Sequence, residues 1–198
     1  MRFTLLCSAL LATATAAPFV IRDTWAPLAG TTAKCGDREK YMSLVIGPEN
    51  GESVPKHSCA AFMPACAYPA ENNLSNNTVC TGVDVYPIDG PKNVTLPVLV
   101  ESDGKKLSGW AVNFFVVPKA KEGDFPVQWS KADCEGYINE LITQTDPKGC
   151  YIPGTGPGAG NLTIGAPTEG TGVLTGKSVL AGKNVLAGTL VGAQIVKK

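Results

Sequence analysis

The chain has 198 residues, 17 basic and 17 acidic side chains, and a single histidine, so its formal charge at pH 7 is zero. That balance excludes the strongly basic footprint of a nucleic-acid binder. No apolar run beyond residue 18 reaches the roughly 20 residues needed to cross a bilayer as a helix, which argues against a transmembrane anchor.

Residues 1–16 have the three parts of an export signal: Arg2, the apolar run from Leu5 to Ala14, and the small-residue motif Ala14-Thr15-Ala16. Cleavage after Ala16 removes Cys7 and leaves six cysteines: Cys35, Cys59, Cys66, Cys80, Cys134 and Cys150. An even set in an exported chain predicts three disulfides, with 15 connectivities open. A zinc site drawing on His57, Cys59 and Cys66 can be written down, but the spacing is longer than structural zinc sites favour and oxidation competes for the thiolates. No metal or cofactor is therefore expected, and no phosphate loop, dinucleotide fingerprint or calcium loop occurs.

In chain order, Tyr41–Ile46, Val83–Tyr86, Val94–Val100 and Trp110–Val117 read as strands, because they are rich in β-branched and aromatic residues and bounded by Gly, Pro, Asn and Asp. Asn50-Gly51 and Asp103-Gly104 predict tight hairpin turns, which need positive φ. Pro97 places the third run at an edge or a bulge. On the pleated fourth run Trp110 and Phe114 point to one face and Phe115 to the other. Together with Trp129 these aromatics are expected to pack as core on both sides, the competing reading being a sugar-stacking or partner surface. Short antiparallel strands predict a mainly β domain, a sandwich or barrel.

One amphipathic helix is predicted over 131–145. Ser130 caps it, Asp133 stands three residues on, and Cys134, Tyr137, Ile138, Leu141 and Ile142 form one buried stripe. Pro147 ends it. The spacing puts Cys134 on the apolar face, where its bridge would tie the helix to the sheet, while Cys150 would tie down the exit. Tyr137 is expected to pack in the core rather than serve as a ligand platform.

Four N-x-S/T sequons begin at Asn73, Asn76, Asn93 and Asn161, and they predict N-linked glycans on a secreted eukaryotic protein, with residues 71–78 as an exposed loop. After Cys150 the composition changes: Tyr151 to Lys198 contains no cysteine and 11 of the 22 glycines. The expected organisation is therefore a signal peptide (1–16), a cysteine-rich β domain (24–152), and a Gly-rich, largely irregular C-terminal tail (153–198). A six-residue pattern runs through the tail from Val173 to Leu190, and it suggests a segment that self-associates or engages wall polysaccharide. Terminal Lys197-Lys198 argues against a lipid-anchor signal.

Catalysis has few footholds. His57 lacks a nucleophile elbow and reads as a surface loop residue. Glycosidase chemistry needs two carboxylates facing each other across a cleft. Glu101, Glu135, Asp84, Asp89, Asp103, Asp124 and Asp133 supply the residue type, yet their spacing names no acid or base.

The segment Asp133-Cys134-Glu135-Gly136, followed by Asp146-Pro147-Lys148-Gly149-Cys150-Tyr151, resembles the C-terminal part of small secreted fungal cell-wall proteins of the phialide type, a group that includes IgE-binding mould antigens. Cys35 through Lys40-Tyr41 into an apolar strand is loosely similar as well. Cys59, Cys66 and the Gly-rich tail depart from that pattern. The resemblance implies a β-rich, non-enzymatic extracellular protein and carries over only Cys134 and Cys150, as structural positions. A structural or adhesive wall glycoprotein is thus the expected function. A host-directed effector and a small secreted hydrolase are the alternatives.

Overall fold

A computed structural model describes residues 25–46, 52–81, 85–119, 126–166 and 186–198. Residues 1–16, where an export signal is expected, Asn50-Gly51, Asp84, Asp124 and the first two six-residue repeats lie outside the described residues.

The N-terminal third contains β1 (Thr32–Cys35), β2 (Tyr41–Met42), β3 (Val45–Ile46) and β4 (Glu52–Ser53). Helix α1 (Val54–Phe62) and a 3-10 turn (Ala65–Ala67) follow. The middle holds β5 (Val85–Ile88), β6 (Lys92–Leu96), β7 (Val100–Ser102), β8 (Lys105–Lys106), β9 (Trp110–Val117) and β10 (Val127–Ser130). Helix α2 (Lys131–Thr143) precedes β11 (Tyr151–Ile152), β12 (Gly156–Pro157), β13 (Gly160–Thr163) and β14 (Leu190–Lys197).

The principal sheet has five antiparallel strands in the order β1-β13-β14-β9-β6. β14 pairs with β9 along the full eight residues of each strand, from Leu190 opposite Val117 to Lys197 opposite Trp110. Alternation then sends Val112, Phe114, Val116, Leu162, Val191 and Ala193 to one face, where all six are completely buried. Helix α2 packs against β13 and β14, and α1 packs against α2 and β6, so the second layer of the core is helical. The expectation of a mainly β, antiparallel domain holds, while a closed barrel does not: the principal sheet is open, with β1 and β6 at its edges. A sheet with one apolar face can bury it equally well against helices.

Local chemistry accounts for most of the strand ends. β7 and β8 join through Asp103 and Gly104, both at positive φ (49° and 71°), which is the expected tight turn. β6 stops at Leu96, one residue before Pro97, and occupies a sheet edge, as a residue without an amide proton requires. The run Tyr41–Ile46 is divided into two short strands that pair with different partners, β2 with β7 and β3 with β4.

The boundary expected at residue 152 needs correction. β13 and β14 both lie inside the principal sheet, and β14 is its middle strand. The third repeat, from Val185, runs into the domain: Leu186 is 5 % exposed, Thr189 is fully buried, and Gly188 takes the left-handed φ of 80° that turns the chain into β14. Backbone bonds from Ile164 to Thr189 and from Gly188 back to Ile164 hold the two strands together where residues 167–185 leave and return.

Candidate functional site

Cys35–Cys150, Cys59–Cys134 and Cys66–Cys80 are bonded, with Cα–Cα distances of 5.4, 5.9 and 5.3 Å. Cys134 on α2 meets Cys59 on α1, so this bridge ties helix to helix rather than helix to sheet. Cys150 ties the exit of α2 to the end of β1, and Cys66–Cys80 closes the loop that bears two sequons. With both of its cysteines bonded, the His57, Cys59, Cys66 set has no thiolate to offer a metal. Among the described residues no group of three or more His, Cys, Asp or Glu could hold one.

A cleft of about 260 Å³ opens beside Cys35–Cys150, lined by Asp37, Arg38, Asp146, Tyr151 and Pro153 among others. Arg38 donates to Asp146 across it at 3.2 Å, and Lys40 pairs with Asp37 at 3.7 Å. The Arg38 and Asp146 side chains are more than half exposed, so water screens their attraction and the pair adds little to stability.

A second polar group lies where α1, the disulfide-closed loop and α2 meet. The Tyr68 hydroxyl donates to Glu135 at 2.7 Å, and Lys131 places its ammonium 4.4 Å from the Tyr68 ring centroid. Burial, followed by the Glu135 hydrogen bond, pushes the Tyr68 phenol well above the ordinary tyrosine range. Lys56 pairs with Glu71, whose side chain is only 9 % exposed. The hydrogen bond from Lys56 holds the Glu71 carboxyl below its usual range, and the nearby His57 adds to that. His57 itself sits half-buried on α1, not in a surface loop.

The remaining carboxylates serve structure. Asp133 completes a capping box with Ser130 and also accepts from Trp25 Nε1 at 3.3 Å. Asp89 pairs with Lys92 at 2.6 Å on the surface. Glu101 lies in β7 opposite Lys106, and Asp103 forms the turn. Glu140 had no place among the residues singled out by spacing. Its carboxyl is raised by burial against the partial relief of Lys148.

No family model, curated protein or solved structure matches this chain.

The aromatics divide in a way that the core-on-both-sides expectation does not allow. Phe114 is fully buried and Trp110 packs on the core edge beneath Lys40, whose ammonium is 5.3 Å from the ring centroid. Trp129 is buried and stacked on Phe62 at 6.4 Å. Tyr137 is core, as expected, in edge contact with Trp25 at 5.0 Å, its hydroxyl accepting from the Leu28 amide. Phe115 alone faces the other way, half-buried on the sheet face that the helices do not cover. Three sequon asparagines, Asn73, Asn76 and Asn93, are exposed, while Asn161 is half-buried in β13. Within 71–78 only Glu71 and Leu74 are drawn inward, which fits the exposed loop expected there.

Proposed function

We propose that this chain is an exported, N-glycosylated structural or adhesive protein of the fungal cell wall or its immediate surroundings. The observation that carries the reading is the disulfide framework: all six cysteines left after signal cleavage are bonded, and the bridges span 115, 75 and 14 residues of sequence. Such a framework persists in an oxidising compartment and not in a reducing one. The exposed sequons and the Asp133-Cys134 to Cys150 similarity to phialide-type wall proteins support the same reading. So does the use of Asp133, Glu135, Asp89 and Glu71 in caps, hydrogen bonds and ion pairs, which gives the surface a holding rather than a reacting character.

In this reading residues 167–185, which connect β13 to β14 in sequence, carry wall retention or self-association. The test compares the secreted full-length chain with one whose residues 167–185 are replaced by a short Gly/Ser linker, each followed into medium and wall fractions. Retention of the full chain in the wall and release of the replaced one supports the reading. Release of both into the medium removes it in favour of a diffusible effector or hydrolase.

A further inference from the structure

The strand register sets two sequons on one line across the sheet face that α1 and α2 do not cover. Asn93 on β6 stands opposite Phe115 on β9, Phe115 opposite Gly192 on β14, Gly192 opposite Asn161 on β13, and Asn161 opposite Lys34 on β1. Side chains paired in this way share a face, so the whole row points away from the helices. With strands about 4.8 Å apart, the two asparagines are roughly 14 Å from each other, and the Phe115 ring lies between them.

Phe115 is the anomaly in that row. Its neighbours Phe114 and Val116 are completely buried in the core, whereas Phe115 is half-buried and outside it. The ring leans over Gly192, and a Cβ at that position would run into the ring. Gly192 is buried and Asn93, on the other flank of Phe115, is exposed, so Asn93 is the solvent-facing neighbour of Phe115 in this row. Asn93 lies on an edge strand, and Thr95, which completes its sequon, projects from the same face two residues on. Directly opposed residues in an antiparallel pair have Cβ atoms about 4.5–5.5 Å apart. That is the reach of one sugar ring attached to the asparagine amide. The first N-acetylglucosamine of an N-linked glycan has a C–H-lined face suited to an aromatic ring, and it can screen the ring from water.

We infer that Asn93 is a glycosylated position whose first N-acetylglucosamine packs on Phe115, on the sheet face that the helices do not cover. The inference rests on the glycoprotein reading above and selects among its sequons. Asn161 shares the row but is half-buried on an interior strand between Lys34 and Gly192. Asn73 and Asn76 sit in the Cys66–Cys80 loop, off this face.

The experiment secretes the full-length protein from a eukaryotic host, maps its glycopeptides, and trims the glycans enzymatically to the first N-acetylglucosamine. Thermal melts then compare wild type, N93Q, F115T and the double variant. The inference expects a sugar on the Asn93 peptide, a Tm loss of about 2–4 °C for N93Q with Phe115 present, and less than half that loss in the F115T background. It also expects the Asn93-linked sugar's ring protons to shift upfield in wild-type NMR spectra, a readout that needs no variant to fold. Unmodified Asn93 alongside glycosylated Asn73 or Asn76 overturns the inference alone. So does equal loss in both backgrounds, or an unshifted sugar spectrum. Absence of sugar from all four sequons overturns the glycoprotein reading as well.

Discussion

Burial disfavours the anion of both Glu140 and Tyr68, yet its consequence for stability at neutral pH is opposite. For Glu140 the folded state disfavours the carboxylate, so its pKa lies above the unfolded value. The folded chain therefore binds a proton more readily, and the residue costs stability at neutral pH, a cost relieved as pH falls through the raised pKa. Glu140→Gln should raise Tm at pH 7, and the gain should fade as pH drops and disappear by about pH 3, where the acid is protonated in both states. The phenols of Tyr68 and Tyr137 are also raised, but their protonated form is neutral. Their contribution is complete below the ordinary tyrosine pKa near 10 and is lost as pH rises beyond it, so urea midpoints should fall above about pH 10. Tyr68→Phe should cost about 1–2 kcal/mol in urea unfolding at pH 7, because Glu135 loses a charge-assisted hydrogen bond, and it should lessen the alkaline decline. None of this could be read from spacing, since Tyr68 and Glu135 are 67 residues apart and meet only through the fold.

The two helices make a controlled comparison of legibility. In α2 the capping box, the five-residue buried stripe and the stop before Pro147 were all visible, because each depends on residues within one helical turn or on strict 3.6-residue spacing. In α1 the buried positions Val54, Ser58 and Phe62 have the same spacing, but the stripe is interrupted by a hydroxyl. Ser58 is fully buried and satisfies itself by donating to the Val54 carbonyl at 2.8 Å, so a residue that reads as polar surface lies in the core. Pro55 in the first turn was the available signal, since proline tolerates that position. On α2, Gly136 lies under Trp25, and a Cβ there would enter the indole ring. Alanine gains about 1 kcal/mol of helix propensity over glycine, whereas forced repacking costs about 1–3 kcal/mol. Gly136→Ala should therefore be neutral to destabilising by up to about 2 kcal/mol. Stabilisation by the full propensity gain would show that Trp25 is not seated there.

For the whole molecule, the middle strand of the sheet comes from the last residues of the chain. β14 lines up opposite all of β9, and its Val191 and Ala193 are completely buried. A chain stopped after Pro153 loses β13 and β14 together and leaves β9 paired only with β6, with one flank of Val112, Phe114 and Val116 open. It should show no cooperative thermal transition by circular dichroism. Replacement of residues 167–185 by a short linker keeps both strands and shortens the connection between them at small entropic cost, so its Tm should stay within about 4 °C of the full chain. Composition misled here for a physical reason. Glycine-rich sequence cannot propagate a strand alone, yet Gly160 and Gly192 are tolerated where neighbouring chains and rings approach closely, and that is decided by partners far away in sequence. The disulfide connectivity was undetermined for the same reason.

The framework is also the most direct point of attack. Non-reducing peptide mapping of the secreted protein should recover Cys35–Cys150, Cys59–Cys134 and Cys66–Cys80 as the linked pairs, with no free thiol in the mature chain. Free thiols, or any other pairing, would contradict both the fold described here and the exported, oxidised protein inferred from it.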